Sequence, residues 1–433
     1  MTDTRLVTRT DRFGNPISGE LPYARGKIIT STDDDYRKIT KAHEIIRARL
    51  SGGEGVFNFT GLERVYPTGT IDIGELDDET APALYEDEFR RIALQHLGGS
   101  LVTHDVFLAN RLTAATIATH LTLVKPGQTV VGISPSYSHP TVIRASNLAG
   151  ARFVSTSSTR EFEEALDTEK NVGLVVLTRL AVTYDIFDSK DLKAIVGRAR
   201  DHGLQIYVDD AGGARVGPAI FGQPRSLELE VDVAATGLDK YGVTGPRFGL
   251  LGGKKELVAK IRSKAWQLGL EARPIFLPAA LRTLQQYNPE RVRELVRTTK
   301  EVAGELKKLL GGRVHETAVT SQLLAEDLLE LIMERGDISE APMVPFEATA
   351  AVAMNLLQDY GVVTVHFAGV PPGTSALLIK FVPPEILENF GGAKKFAQAL
   401  DSSITKAAQQ VAEPNGIQRL LYDLGDSQKR RVS

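Results

Sequence analysis

Between about residues 56 and 272 the chain alternates short β-rich runs with helix-length segments. QTVVGI (128–133), RFVSTS (152–157), VGLVVLT (172–178), LQIYVDD (204–210), VDVAAT (231–236) and FGLLGG (248–253) predict strands. Several of them are too continuously apolar to keep a wet face. Segments such as SKDLKAIVGRARDHG (189–203) predict the helices between them. This alternation predicts an α/β domain with a mostly parallel sheet covered by helices on both faces and with sites at the carboxyl ends of its strands.

The flanks read differently. Residues 1–55 are polar, with one helical stretch around YRKITKAHEIIRARL (36–50), and the Gly-rich SGGEG that follows marks a boundary. Residues 273–433 begin with a helix through ERVRELVRTTKEVAGELKKLLGG and later hold VVTVHFAG and SALLIKFV, which suits a smaller α+β domain. The expected organisation is therefore an N-terminal segment (1–55), a large domain (56–272) and a small C-terminal domain (273–433).

With 433 residues and 42% hydrophobic content the chain can bury a large core. A formal net charge of -3 lacks the broad basic footprint of a nucleic-acid or lipid binder and points to a small soluble partner. The KRR at 429–431 is too short to change that. Zero cysteines exclude disulfide and thiolate chemistry. No run approaches a membrane span, and MTDTRLVTRTDRFG is too polar for a secretory signal, so a cytoplasmic globular protein is expected.

Three strand ends carry candidate chemistry. After LQIYV comes DDAGGAR (209–215), where Asp209 and Asp210 follow a buried run and two glycines let the backbone pass close to a flat partner; a simple Asx-type cap is the alternative. VFLANRLTAATIATHLTL (106–123) sets Asn110, Arg111 and Thr113 just before an amphipathic helix. The free N–H groups and positive end of such a helix suit a phosphate, although an ordinary N-cap reads the same way. VAATGLDKYGVTGPRFGLLGG (233–253) breaks off a buried run, presents Lys240 on a Gly-, Thr- and Pro-rich turn, and resumes at once. An anion cradle, an acid able to keep a pyridine nitrogen protonated and a lysine able to hold an aldehyde are together what pyridoxal 5′-phosphate needs.

In this order the residues resemble the fold-type I pyridoxal-phosphate enzymes, the aspartate aminotransferase superfamily, over about 100–255 and more loosely across the C-terminal domain. The resemblance implies a large domain with a helix-sandwiched, mostly parallel sheet, a smaller α+β domain, and a homodimer or higher homo-oligomer. It implies that Lys240 in GLDKYGVTGP is the Schiff-base lysine, that Asp209 pairs with the pyridinium nitrogen, that Ala211 lies under the ring and that Asp210 is structural. Leu112 and Thr113 would serve the phosphate, with Thr236 as a further candidate. The aromatic above the ring would come from SPSYSHP (134–140), as His139 or as Tyr137. Arg179, ending LVVLTR, would approach the ring's phenolic oxygen or the substrate, unless it is a surface arginine. Burial and positive surroundings are expected to lower the pKa of Lys240 toward the neutral amine.

VFNFTGL (56–62), DKYGVTGPRFGLLGG (239–253) and FLPAALRTLQQYNPERVRELVRTT (276–299) are similar to the group containing bacterial selenocysteine synthase and the D-glucosaminate-6-phosphate ammonia-lyases. Two departures matter. ALLIKFVPPE offers Lys380 where aminotransferases commonly place a carboxylate-binding arginine, and lysine lacks the planar two-pronged grip, which leaves Arg179, Arg215 and Arg247 as anion binders and Arg215 as the expected one. The acidic chain also shows no basic patch for a tRNA. The resemblance thus implies an enzyme acting on an amino acid through an external aldimine and a Cα carbanion, in an elimination or replacement reaction. An aminotransferase or racemase is the runner-up, and a catalytically silent binding protein the alternative of another class.

Overall fold

The computed structural model describes residues 9–17, 21–67, 69 and 72–422; the KRR at 429–431 lies outside them. The chain divides into two units, Leu62–Arg293 and a second one made of Met1–Gly61 with Glu294–Ser433.

Unit Leu62–Arg293 is built on seven strands: β1 (His104–Ala109), β2 (Thr129–Ile133), β3 (Arg152–Thr156), β4 (Val172–Leu177), β5 (Ile206–Asp209), β6 (Val233–Gly237) and β7 (Gly249–Lys254). Their spatial order is β1-β7-β6-β5-β4-β2-β3. The pairs β2–β3, β2–β4, β4–β5 and β5–β6 are parallel, and β7 alone runs against both of its neighbours. All six strands expected from the sequence are present. The seventh, β1, was hidden inside the stretch assigned to a helix approach, because an edge strand leading straight into a helix has no turn to announce it.

The alternation of side chains along each strand splits the core in two. Val106, Leu108, Val131, Val175, Ile206 and Val208 join one cluster, whereas Phe107, Val130, Leu174, Val176 and Tyr207 join the other. Burial on both faces explains why these runs read as continuously apolar. The helices of this unit are α1 (Thr80–Leu97), α2 (Leu112–Leu123), α3 (Pro140–Leu148), α4 (Thr159–Thr168), α5 (Ser189–Asp201), α6 (Gly213–Phe221), α7 (Lys255–Gln267) and α8 (Leu277–Gln285). Helix α2 follows β1 directly, and β7 begins against its first turn. A Cβ on Gly249 would lie 2.7 Å from Arg111 C and O and from Leu112 N, so only glycine lets the strand pass there.

The second unit gathers the helices Thr32–Ser51, Ala325–Gly336, Pro345–Tyr360 and Ala393–Val411 with a three-stranded antiparallel sheet of Val314–Glu316, Thr320–Leu323 and Leu377–Lys380. Phe57–Asn58 pairs in parallel with Val362–Val363, which ties the N-terminal segment to the C-terminal residues. The units therefore divide at 61/62 and 293/294, whereas the sequence suggests 55/56 and 272/273 and a separate N-terminal segment. That pairing spans some three hundred residues and has no local signature. No helix among the described residues is long and apolar enough to cross a membrane.

Candidate active site at the carboxyl ends of the strands

Adjacent parallel strands bring the acid and the lysine together. Asp209, the last residue of β5, lies opposite Ala235 of β6, and the Asp210 N–H donates to the Ala235 carbonyl at 2.9 Å. Past the sheet the Leu238 N–H donates to the Phe248 carbonyl at 2.9 Å, so the two ends of the Lys240 turn are closed on each other.

Asp209 is 5% exposed, and its Oδ1 has no hydrogen-bond partner among the described residues. Burial pushes its carboxyl up to about 6, with Lys240 opposing and Asp210 adding to the rise. Lys240 is half-buried, and desolvation lowers its ammonium below the ordinary lysine value against the pull of Asp239 and Asp209, while Arg64 and Arg247 add to the fall. An unpartnered buried carboxylate oxygen is costly unless a donor arrives. A protonated ring nitrogen is such a donor, and a lysine shifted toward its neutral amine suits an aldehyde.

The other expected residues sort into two sets. His139 caps α3, its Nδ1 accepting from the Thr141 N–H at 3.1 Å. Burial, then the charge of Lys240, depress its imidazole to about 3, so a neutral aromatic ring stands near the lysine. Tyr137 instead lies in the electrostatic neighbourhood of Tyr184. Leu112 and Thr113 open α2, whose N-cap residue Arg111 makes no side-chain cap. A first turn leaves its N–H groups to outside acceptors, and its positive end suits a phosphate. Ala211 is half-buried directly after the two acids.

Arg179, Arg215 and Thr236 are differently employed. Arg179 is not a surface residue: it is wholly buried and paired with Asp210, and its Nη1 donates to the Pro224 carbonyl at 2.6 Å. Ser226 Oγ donates to the same Asp210 at 2.7 Å, which makes Asp210 the structural acid of the two. Arg215, also wholly buried, donates from Nε to the Lys240 carbonyl at 2.7 Å and from Nη2 to Gly237 O at 2.5 Å, Ala211 O at 3.2 Å and Thr236 Oγ1 at 2.9 Å. Its Nη1 faces His96 Nε2 at 3.1 Å. Such a guanidinium has no fork left for a substrate carboxylate. Thr236 Oγ1 donates to Ala211 O at 3.1 Å and accepts from Arg215 Nη2 at 2.9 Å. Lys380 belongs to the second unit, buried in the strand Leu377–Lys380 opposite Thr320.

Sequence reasoning missed three features. Arg64 Nε donates to Asp239 Oδ2 at 2.7 Å, in a segment fixed by the Gly245 N–H bonding the Glu63 carbonyl at 3.1 Å. Asp239, held below its ordinary value by Lys240, Arg64 and Arg247 against its burial, is the immediate neighbour of the lysine. Tyr184 and Tyr241 share a 2.6 Å hydrogen bond between hydroxyls, and both have left-handed backbones, with φ of 69° and 48°. Non-glycine residues rarely adopt that region, and such strain gathers at functional sites. A Cβ on Gly212 would lie 2.2 Å from the Tyr241 ring, so the glycine after Ala211 makes room for this pair. The one readable signal was the placement of Arg64 just beyond VFNFTGL in a Gly- and Pro-flanked segment.

Among solved structures the chain is similar to the SepCysS–SepCysE N-terminal domain complex, with a TM-score of 0.56 at 14% identity over 81% of this chain and 95% of that one. It is also similar to the aspartate aminotransferase of Thermotoga maritima, with a TM-score of 0.52 at 17% identity over 84% and 97% of the respective chains. The fold is that of the fold-type I pyridoxal-phosphate proteins. No protein-family model matches the chain. A UPF0425 pyridoxal phosphate-dependent protein of Methanothermobacter thermautotrophicus is 31% identical over 332 residues, 76% of this chain and 83% of its own length, and the chain belongs to that family.

Proposed function

We propose that the chain is an enzyme that binds pyridoxal 5′-phosphate at the strand ends of unit Leu62–Arg293 and acts on an amino acid by elimination or replacement. The observation that carries this reading is the buried Oδ1 of Asp209, without a donor among the described residues, beside a lysine of lowered pKa. Bound cofactor supplies an electrophilic aldehyde and a ring that accepts electrons when its nitrogen is protonated. Asp209 would hold the proton on that nitrogen, the first turn of α2 at Leu112 and Thr113 would take the phosphate, and His139 would cover the ring. Lys240 would carry the cofactor at rest and move a proton at the substrate's Cα when released.

One feature supports elimination or replacement over transamination: Lys380 stands where an arginine is common in aminotransferases. Assembly as a homodimer belongs to the same proposal. The test is borohydride reduction of the cofactor-loaded protein followed by peptide mapping. The reduced label is expected on Lys240; a label on another lysine, or no uptake of cofactor, removes the reading. Incubation with amino acid alone then separates reaction types, since stoichiometric conversion of the cofactor to its amine, reversed by a keto acid, means an aminotransferase.

A further inference from the structure

Two tyrosines that sequence reasoning passed over meet across the strand that carries the acid. Strand β5, which ends in Asp209, lies between β4 and β6 in the sheet. Tyr184 sits in the turn after β4, where its N–H donates to the Ala181 carbonyl at 3.0 Å and the Ala181 N–H donates to the Asp185 carbonyl at 2.9 Å. Tyr241 follows Lys240 in the turn after β6. Their hydroxyls lie 2.6 Å apart, and both side chains are buried, so the bond bridges the exit of β5. There the ring of Tyr241 lies against Gly212, three residues past Asp209: a Cβ on that glycine would meet its Cε2 at 2.2 Å and its Cδ2 at 2.5 Å.

The backbone that follows Lys240 is fixed twice. Its carbonyl accepts from Arg215 Nε at 2.7 Å, and the next two residues, Tyr241 and Gly242, both have left-handed backbones, with φ of 48° and 89°. Glycine enters that region at little cost, whereas tyrosine stays in it only where its surroundings over-determine the conformation. The ring packed on Gly212 and the hydroxyl bonded to Tyr184 supply that determination from outside the turn. A change of φ at Tyr241 would swing the peptide that joins it to Lys240. The same contacts therefore set the line along which the lysine side chain leaves the turn, relative to Asp209 on the neighbouring strand.

We propose that the Tyr184–Tyr241 hydroxyl pair is a positioning device that directs the Lys240 amine at the carbonyl carbon of the cofactor's aldehyde. This rests on the cofactor reading above. As the C=N bond forms, the neutral amine gives up its two hydrogens and the aldehyde its oxygen, which leave together as one water. Such a condensation depends on the direction of approach as well as on distance. Binding of the ring and of the phosphate does not involve the amine, so a ligand of the same shape without an aldehyde is indifferent to the pair.

The test compares pyridoxal 5′-phosphate with pyridoxine 5′-phosphate, the corresponding alcohol, by calorimetric titration of the cofactor-free wild type, Tyr241→Phe, Tyr184→Phe and the double variant. Wild type is expected to bind the aldehyde more tightly than the alcohol. Each single variant should lose about 10-fold in affinity for the aldehyde while binding the alcohol as the wild type does. The double variant should lose no more than either, because both hydroxyls serve one bond. Parallel loss for both ligands, an unchanged affinity for the aldehyde, or losses that add in the double variant would overturn the proposal and leave the pair a packing contact. Failure of the wild type to bind either ligand, or to prefer the aldehyde, would instead overturn the reading on which it rests.

Discussion

Arg215 Nε donates to the carbonyl of Lys240 at 2.7 Å, and the same guanidinium reaches the carbonyls of Ala211 and Gly237. One planar cation thus fastens the segment after the acid to the turn that bears the lysine. A buried arginine bound to backbone carbonyls and a neutral histidine, rather than to a carboxylate, keeps the charge only because so many acceptors surround it.

That arrangement predicts the behaviour of Arg215→Lys. An ammonium cannot span carbonyls on two sides of the turn and also face His96. The variant should lose about 2–4 kcal/mol of stability in urea unfolding and bind pyridoxal phosphate several-fold more weakly. The concentration of amino acid needed for half-maximal spectral change should hardly move. The reverse pattern, firm cofactor binding with a large rise in the amino acid requirement, would return Arg215 to the substrate pocket.

The neighbouring acids should part company between stability and cofactor binding. Asp210 is paired with wholly buried Arg179 and accepts from Ser226, so Asp210→Asn strands a buried cation. Breaking such a pair costs about 3–5 kcal/mol. Asp209 has an oxygen without a donor among the described residues, so Asp209→Asn should leave the cofactor-free protein as stable or more so, yet abolish proton retention on the ring nitrogen. Unfolding curves and cofactor titrations on both variants check this; equal damage from each in both assays would dissolve the distinction.

The contrast between these arginines shows what the sequence could and could not disclose. The strands that end in Asp209 and before Lys240 were legible because burial on both sheet faces demands continuous apolar runs, and turn chemistry marks where they stop. The partners of Arg179 and Arg215 were not legible. Spacing put both near the site, but whether a guanidinium faces a ligand or a set of carbonyls depends on backbone groups from separate strand ends. Arg64 lies far from Asp239 along the chain, and the bond between Gly245 and Glu63 that brings them together leaves no local pattern. The joining of residues near 57 to those near 362 was invisible for the same reason.

Two groups whose acidities shift in opposite directions make the stability of the folded chain depend on pH. The carboxyl of Asp209 is raised from 3.8 to about 6 by burial, so the folded chain binds its proton more tightly than the unfolded one. Its contribution to stability is present in full below 3.8 and is lost as pH rises through 6. His96 is depressed from 6.5 to about 3, first by burial and then by Arg215 and Arg225, and its contribution is lost as pH falls from 6.5 toward 3. Urea unfolding of the cofactor-free wild type therefore mixes both effects. Subtracting it from Asp209→Asn isolates the first: the variant should gain on the wild type by about 3 kcal/mol between pH 4 and pH 7, the weight of roughly two pH units. Saturating cofactor at pH 7 should shrink that gain, because a donor then meets Oδ1. A difference between the two proteins that stays constant across this range would show that the Asp209 carboxylate already has a partner in the folded chain, and the site as described would need a different acid.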